Sequence, residues 1–239
     1  MTRSAPDDVP PLAVDIDGTL TDDRRTVDPR VLPVLQDWPA PVVIATGKAF
    51  PYPVALCEFL GLDPLVIAEN GGIALAGRDG PLHVEGEPAA ARAVADGLVD
   101  RGYGLGWGQA DLVNRWRETE VAVSREVPKG VLEELATAQG LIVLDTGFAY
   151  HVTSPDVSKG LALQTLADSL AIQPETFVAV GDSENDASLF DVVGRSVAVA
   201  NADADAKAAA DHVTEASYAD GFLAAIDWLT EPASSGGTA

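Results

Sequence analysis

Residues 12–22 read LAVDIDGTLTD. Leu12-Ala13-Val14 is a continuous apolar run, the pattern of a strand buried on both faces. It ends in two aspartates one residue apart, Asp15 and Asp17, before Gly18-Thr19 breaks the strand. Side chains alternate along a strand, so positions 15 and 17 share a side. Two carboxylates leaving one strand end together repel each other, and one pKa rises unless a cation separates them. Oxygen donors of this kind suit magnesium. The sulfur and imidazole sets that zinc prefers are missing: Cys57 is the lone cysteine, and His83, His151 and His212 are scattered.

The pattern recurs along the chain. Val42-Val43-Ile44-Ala45 is a second apolar strand, ending at Thr46-Gly47-Lys48. Leu65–Ala68 is a third, ending in Glu69-Asn70-Gly71-Gly72, and Phe177–Val180 is followed by GDSENDASLF. Helical stretches lie between them. One is expected after an N-cap at Asp28 with Pro29 following; another runs through Phe59 and closes at Gly61; a third spans about Ser158 to Leu170. Buried strands alternating with helices predict an α/β fold built on a parallel, Rossmann-like sheet. In such sheets chemistry gathers at the carboxyl ends of the strands, where Asp15, Asp17, Thr46 and Glu69 fall.

The rhythm changes after Gly72. Ile73–Ala76 and Leu82–Val84 read as a hairpin, followed by a helix near Ala89–Val99, a Gly- and Trp-rich stretch, a strand at Val121–Ser124, a helix at Val131–Ala138 and strands at Leu141–Leu144 and Tyr150–Val152. This predicts an inserted α+β unit at residues 81–152, with residues 1–80 and 153–239 forming the core. Trp107 and Trp116 are expected to pack within the insert. Arg115 and Arg117 have two readings, as solvated charges or as groups facing the site. Glu69 and Asn70 are read as shaping the hinge between the two units.

Four signals therefore fall at strand or helix ends: Asp15-x-Asp17-Gly18-Thr19, Thr46-Gly47, Lys159, and Asp182 with Asn185 and Asp186. Together they suit phosphoryl transfer. One carboxylate attacks phosphorus, a second moves the proton, and a cation and donors neutralise the phosphoryl oxygens. The set resembles the haloacid dehalogenase-like phosphohydrolases, in motifs and in order. The resemblance implies Asp15 as nucleophile and Asp17 as general acid/base. It implies Thr46, Gly47, Lys159 and Asn185 as phosphate-binding groups. It also implies a Mg2+ site from Asp15, Asp182, Asp186 and the main-chain carbonyl of Asp17.

The insert sits where the Cof-type branch of that family carries a large cap. VDIDGTLTD, IAENGG and GDSENDASLF are similar to the archaeal phosphoglycolate phosphatases within it, which implies 2-phosphoglycolate as substrate. Lys48 differs from what many relatives carry. Competing readings are a sugar-phosphate phosphatase, a phosphomutase and a phospho-accepting receiver module. A receiver needs no partner such as Asp17.

Composition narrows the setting. The 239 residues carry 37 acidic against 15 basic groups, a formal charge of −22 and a pI near 4.2. That balance opposes nucleic acid and anionic membranes as partners and leaves a small phosphorylated metabolite. The protein is expected to act as a monomer or homodimer. No apolar run has the length of a membrane span, and the first residues lack an apolar leader, so the expected location is the cytoplasm. Excess aspartate over scarce lysine suggests a high-salt cytoplasm, where added salt screens self-repulsion.

Overall fold

The structure is a computed structural model, described here for residues 9–230. The first half of the chain gives β1 (Leu12–Val14), α1 (Val31–Gln36), β2 (Val42–Ala45), α2 (Pro51–Leu60), β3 (Leu65–Ala68), β4 (Ile73–Ala76) and β5 (Leu82–Val84). An inserted stretch follows, with α3 (Pro88–Asp100), β6 (Val121–Ser124), α4 (Lys129–Ala138), β7 (Ile142–Asp145) and β8 (Ala149–Thr153). The last part returns with α5 (Lys159–Leu170), β9 (Val178–Gly181), α6 (Glu184–Phe190), β10 (Arg195–Ala198), α7 (Ala204–Ala209), β11 (His212–Val213) and α8 (Tyr218–Thr230).

One eight-stranded sheet runs β11-β10-β9-β1-β2-β3-β4-β5. Its strands are parallel from β11 to β3, and β4 and β5 add an antiparallel edge. Alternation along each strand separates two apolar layers. Leu12, Val14, Val42 and Ile44 pack on one face with residues of α1, α2 and α8. Ala13, Val43, Ala45 and Ala179 pack on the other with residues of α5, α6 and α7. This is why the central strands are apolar at every position: each has two faces to fill.

The first strands, the helix closing at Gly61 and the helix after Ser158 lie where the sequence places them. Gly61 adopts φ 69° and its amide donates to the Cys57 and Glu58 carbonyls. Asp28 does not cap a helix directly. Its carboxylate accepts the Arg30 amide at 2.9 Å, and α1 begins one residue later.

A second, three-stranded antiparallel sheet has the order β6-β8-β7 and packs on α3 and α4 around Val94, Leu98, Leu132 and Val152. The division differs from the expected start at residue 81. Leu82–Val84 pairs with Ile73–Leu75 and so belongs to the large sheet. Its exposed, alternating side chains reflect an edge position rather than membership of the insert. The two units meet at Glu69-Asn70, both left-handed at φ 51° and 57° and both buried. The adjoining Gly71 has φ 110°, and a Cβ there would sit 2.1 Å from the Ser158 carbonyl oxygen. Only glycine lets this turn lie against the start of α5.

Candidate active site

β1 and β9 are neighbours, and the Asp15 amide donates to the Val180 carbonyl at 3.1 Å. That bond sets the Asp15 side chain beside the loop leaving β9. α5 is capped by Ser158, whose hydroxyl accepts the Leu161 amide, and its first residue is Lys159. The Lys159 side chain is wholly buried. Its Nζ donates to Asp15 Oδ1 at 2.8 Å and to Asp186 Oδ1 at 2.7 Å. The other oxygen of Asp186 accepts the Asp182 and Ser183 amides at 3.0 and 3.1 Å, which ties the loop to the first turn of α6. Gly18 closes the cluster from the β1 side. Its φ is +84°, and a Cβ there would fall 2.0 Å from Asp182 Oδ2.

Carboxylate oxygens of Asp15, Asp182 and Asp186 all lie within 4.8 Å of one another. Burial, opposed by Lys159 but reinforced by Asp186 and Asp17, lifts the Asp15 carboxyl to about 7. Burial, with Asp15 and Asp186 nearby, lifts Asp182 to about 9. Burial alone would lower Lys159, but the two aspartates outweigh it and hold the ammonium above its usual value. One lysine thus faces two buried carboxylates, with the half-buried Asp182 carboxylate beside them. The deficit of positive charge and the all-oxygen donor set both fit a hard divalent cation. Asp186 already has both oxygens engaged, so Asp15 and Asp182 are the freer donors. The Asp17 carbonyl accepts no hydrogen bond among the described residues.

Asp17 points into the same cavity of about 390 Å³, where Lys48 Nζ meets its Oδ2 at 2.9 Å. The other Asp17 oxygen is buried without a partner. The Thr46 hydroxyl accepts the Lys48 amide at 3.2 Å and keeps its own proton for a ligand. The Gly47 amide donates to nothing among the described residues. Both Thr46 and Gly47 line the cavity, as does Asn185, whose Nδ2 donates to Asn70 Oδ1 at 2.7 Å. The eight residues singled out from sequence thus gather in one place: six line the cavity, and Lys159 and Asp186 lie directly behind Asp15.

The inserted unit closes the cavity with Arg117, Thr146, Gly147, Phe148 and His151. Of three cations in the insert, Arg125 pairs with Asp145 and Lys129 with Glu133, while Arg117 alone among these three reaches the cavity. Arg117 is almost buried, paired through Nη1 with Glu120, while its Nε donates to the Val113 carbonyl at 3.1 Å. Glu69 holds the insert from the core side, accepting the Glu118 and Thr119 amides and the Thr119 hydroxyl. Trp107 packs within the insert against Phe148. Trp116 departs from the packing role expected of it: it meets Tyr52 of the core edge to face at 6.1 Å.

A family model for haloacid dehalogenase-like hydrolases matches residues 12–85 and 121–226. The chain belongs to this family. Its curated relatives include a protein named phosphoglycolate phosphatase from Haloarcula marismortui, 60% identical over 92% of this chain and 96% of that one. A protein of the same name from Natronomonas pharaonis is 55% identical over 92% of this chain and 97% of its own length. The crystal structure of Thermoplasma acidophilum 0175 superposes with a TM-score of 0.79 at 25% identity, covering 92% of this chain and 98% of that one.

In this hydrolase, sequence reading missed the groups that join the two units. Asn201 donates to the Gly18 carbonyl at 3.0 Å and steadies the nucleophile turn. The Arg25 guanidinium lies 3.7 Å from the Phe148 ring centre, bridging core and insert across the cavity mouth. His151 was read only as one of three scattered histidines, because nothing local marks it. Its setting is made by Glu120, 31 positions away, and Asn70, 81 positions away.

Proposed function

We propose that the protein is a magnesium-dependent phosphomonoesterase that converts 2-phosphoglycolate to glycolate and phosphate. One observation carries the choice of substrate: a cation from the insert, Arg117, faces the same cavity as Asp15 and Asp17. A phosphate set against Asp15 would place a short leaving group beneath that guanidinium, and the names of the most similar relatives agree.

Asp15, held by Lys159, attacks phosphorus through a carboxylate oxygen and forms an acyl phosphate as the ester P–O bond breaks. Asp17 gives its proton to the departing glycolate oxygen. It then removes a proton from the water that attacks phosphorus, which frees phosphate and restores the Asp15 carboxylate. Thr46 and Gly47 donate to the phosphoryl oxygens, and Lys159 offsets charge behind them. A Mg2+ held by Asp15, Asp182 and the Asp17 carbonyl, with Asp186 supporting, would neutralise phosphoryl charge. The insert acts as a cap that excludes water and reads the leaving group, with Glu69-Asn70 at its hinge.

The test is a panel of small phosphoesters with magnesium, read as phosphate release. The expected result is highest kcat/KM for 2-phosphoglycolate. Preference for a sugar phosphate would refute the substrate, and full activity in excess chelator would refute the cation.

A further inference from the structure

Glu120, just before β6, is buried to 3% exposure, and its carboxylate carries three contacts that no catalytic step uses. Oε1 accepts from Arg117 Nη1 and from His151 Nδ1, the latter at 2.7 Å. Oε2 accepts from Asn70 Nδ2 at 2.8 Å. Asn70 in turn accepts from Asn185, beside the acidic cluster of the core. His151 Nδ1 also lies 3.0 Å from Asn70 Nδ2. Both cannot donate to each other, so the short contact to the carboxylate makes Nδ1 the donor and turns the amide to Glu120. Burial would raise Glu120, but His151 and Arg117 outweigh it and hold the carboxyl below its ordinary value.

The consequences fall on the cavity. With Nδ1 committed, the other ring nitrogen of His151 is left for the cavity that His151 lines. With Nε and Nη1 of Arg117 each holding a partner, Nη2 is the guanidinium nitrogen that donates to nothing among the described residues. A single buried carboxylate thus orients Arg117 and His151, from two different segments, toward one place and links both to Asn70; the imidazole offers a second N–H to the cavity only as imidazolium. Where the imidazole is protonated, two positive groups face one negative one, and a ligand anion balances them.

We propose that Arg117 and His151 form a two-pronged clamp for a carboxylate on the leaving group, and that Glu120 is the positioning residue that aligns both prongs and couples them to Asn70 and Asn185. This deepens the substrate reading above and rests on it. It adds His151 as a direct ligand and assigns Glu120 a role in specificity rather than in folding alone.

The experiment compares 2-phosphoglycolate with ethyl phosphate, which keeps the phosphoester and lacks the carboxylate. Variants are Glu120→Gln, His151→Gln, Arg117→Gln and Arg117→Lys, with Arg125→Gln as a control outside the site. Each is checked for a folded melting transition, and kcat and KM are measured separately for both esters. In Glu120→Gln and His151→Gln the phosphoglycolate-to-ethyl-phosphate ratio of kcat/KM is expected to fall about tenfold or more, through KM, because charge-assisted hydrogen bonds are lost. Arg117→Lys should keep part of the ratio that Arg117→Gln loses, and Arg125→Gln should keep all of it. A purely structural Glu120 would lower activity on both esters alike and leave the ratio intact, which overturns the proposal. If Glu120→Gln fails to fold, His151→Gln and the two Arg117 variants decide the question by the same ratio. A wild-type protein with no preference for phosphoglycolate overturns the substrate reading and the clamp together. Preference retained in every variant overturns the clamp alone.

Discussion

Replacing Lys159 by methionine removes the one ammonium that faces two buried carboxylates. The methionine fills similar space, so the change is mainly electrostatic. Asp15 and Asp186 then confront each other without the donor now 2.8 and 2.7 Å away. Removing one partner of a buried pair costs about 3–5 kcal/mol. For a chain of this size each kcal/mol lowers Tm by about 2–4 °C, so a fall of roughly 6–20 °C is expected. The carboxyls can escape part of that cost by taking up protons, so the loss should grow as pH rises and ionisation is forced. Adding magnesium should recover part of it by supplying positive charge from another source. Asp186→Asn in the Lys159→Met background should recover stability without recovering turnover. The assay is calorimetry across pH, with and without magnesium, beside phosphate release. A Lys159→Met protein within about 1 kcal/mol of the parent at neutral pH, with no pH trend, would refute the electrostatic account of the cluster.

Three further outcomes follow from other parts of the molecule. Asp17→Asn should fold normally and lose about 10²–10⁴-fold in kcat, the usual contribution of general acid–base help; near-normal turnover would remove Asp17 from that role. Glu120 has its folded pKa depressed below the ordinary 4.5, so its stabilisation is complete above that value and is lost as pH falls through the folded one. The stability gap between the parent and Glu120→Gln should therefore close as pH drops below about 4.5, and a gap constant to about pH 3 would contradict the pairing. With a charge of −22, dialysis from about 1 M salt, where the screening length is about 3 Å, to 0.1 M, where it is about 10 Å, should lower Tm; indifference to salt would contradict a high-salt adaptation.

How far these features were legible follows from how local their causes are. The central strands were readable because burial on two faces demands apolar residues at every position, and Leu12–Val14 or Val42–Ala45 have no other use for them. Asp15 and Asp17 were readable because two carboxylates at such a strand end need a reason. Leu82–Val84 was placed in the wrong unit because an edge strand of three residues, exposed on alternate positions, looks the same in either sheet. The strand His212–Val213 is shorter still and was missed. Lys48 was noted as unusual, but its contact with Asp17 depends on the turn that follows β2. The Glu120 network is the furthest from legibility. Its members are ordinary polar residues, and only the packing of the insert over the hinge brings Asn70, Glu120 and His151 together.

The central claim is that Asp15 carries the phosphoryl group. The direct measurement is to mix the Asp17→Asn protein with phosphorus-labelled 2-phosphoglycolate and magnesium, quench in acid, reduce with borohydride and map the modified residue by mass spectrometry. The account expects an acyl phosphate on Asp15, recovered as homoserine at that position and absent from Asp15→Asn. Reduction product at another residue, or phosphate release that persists in Asp15→Asn, would contradict it.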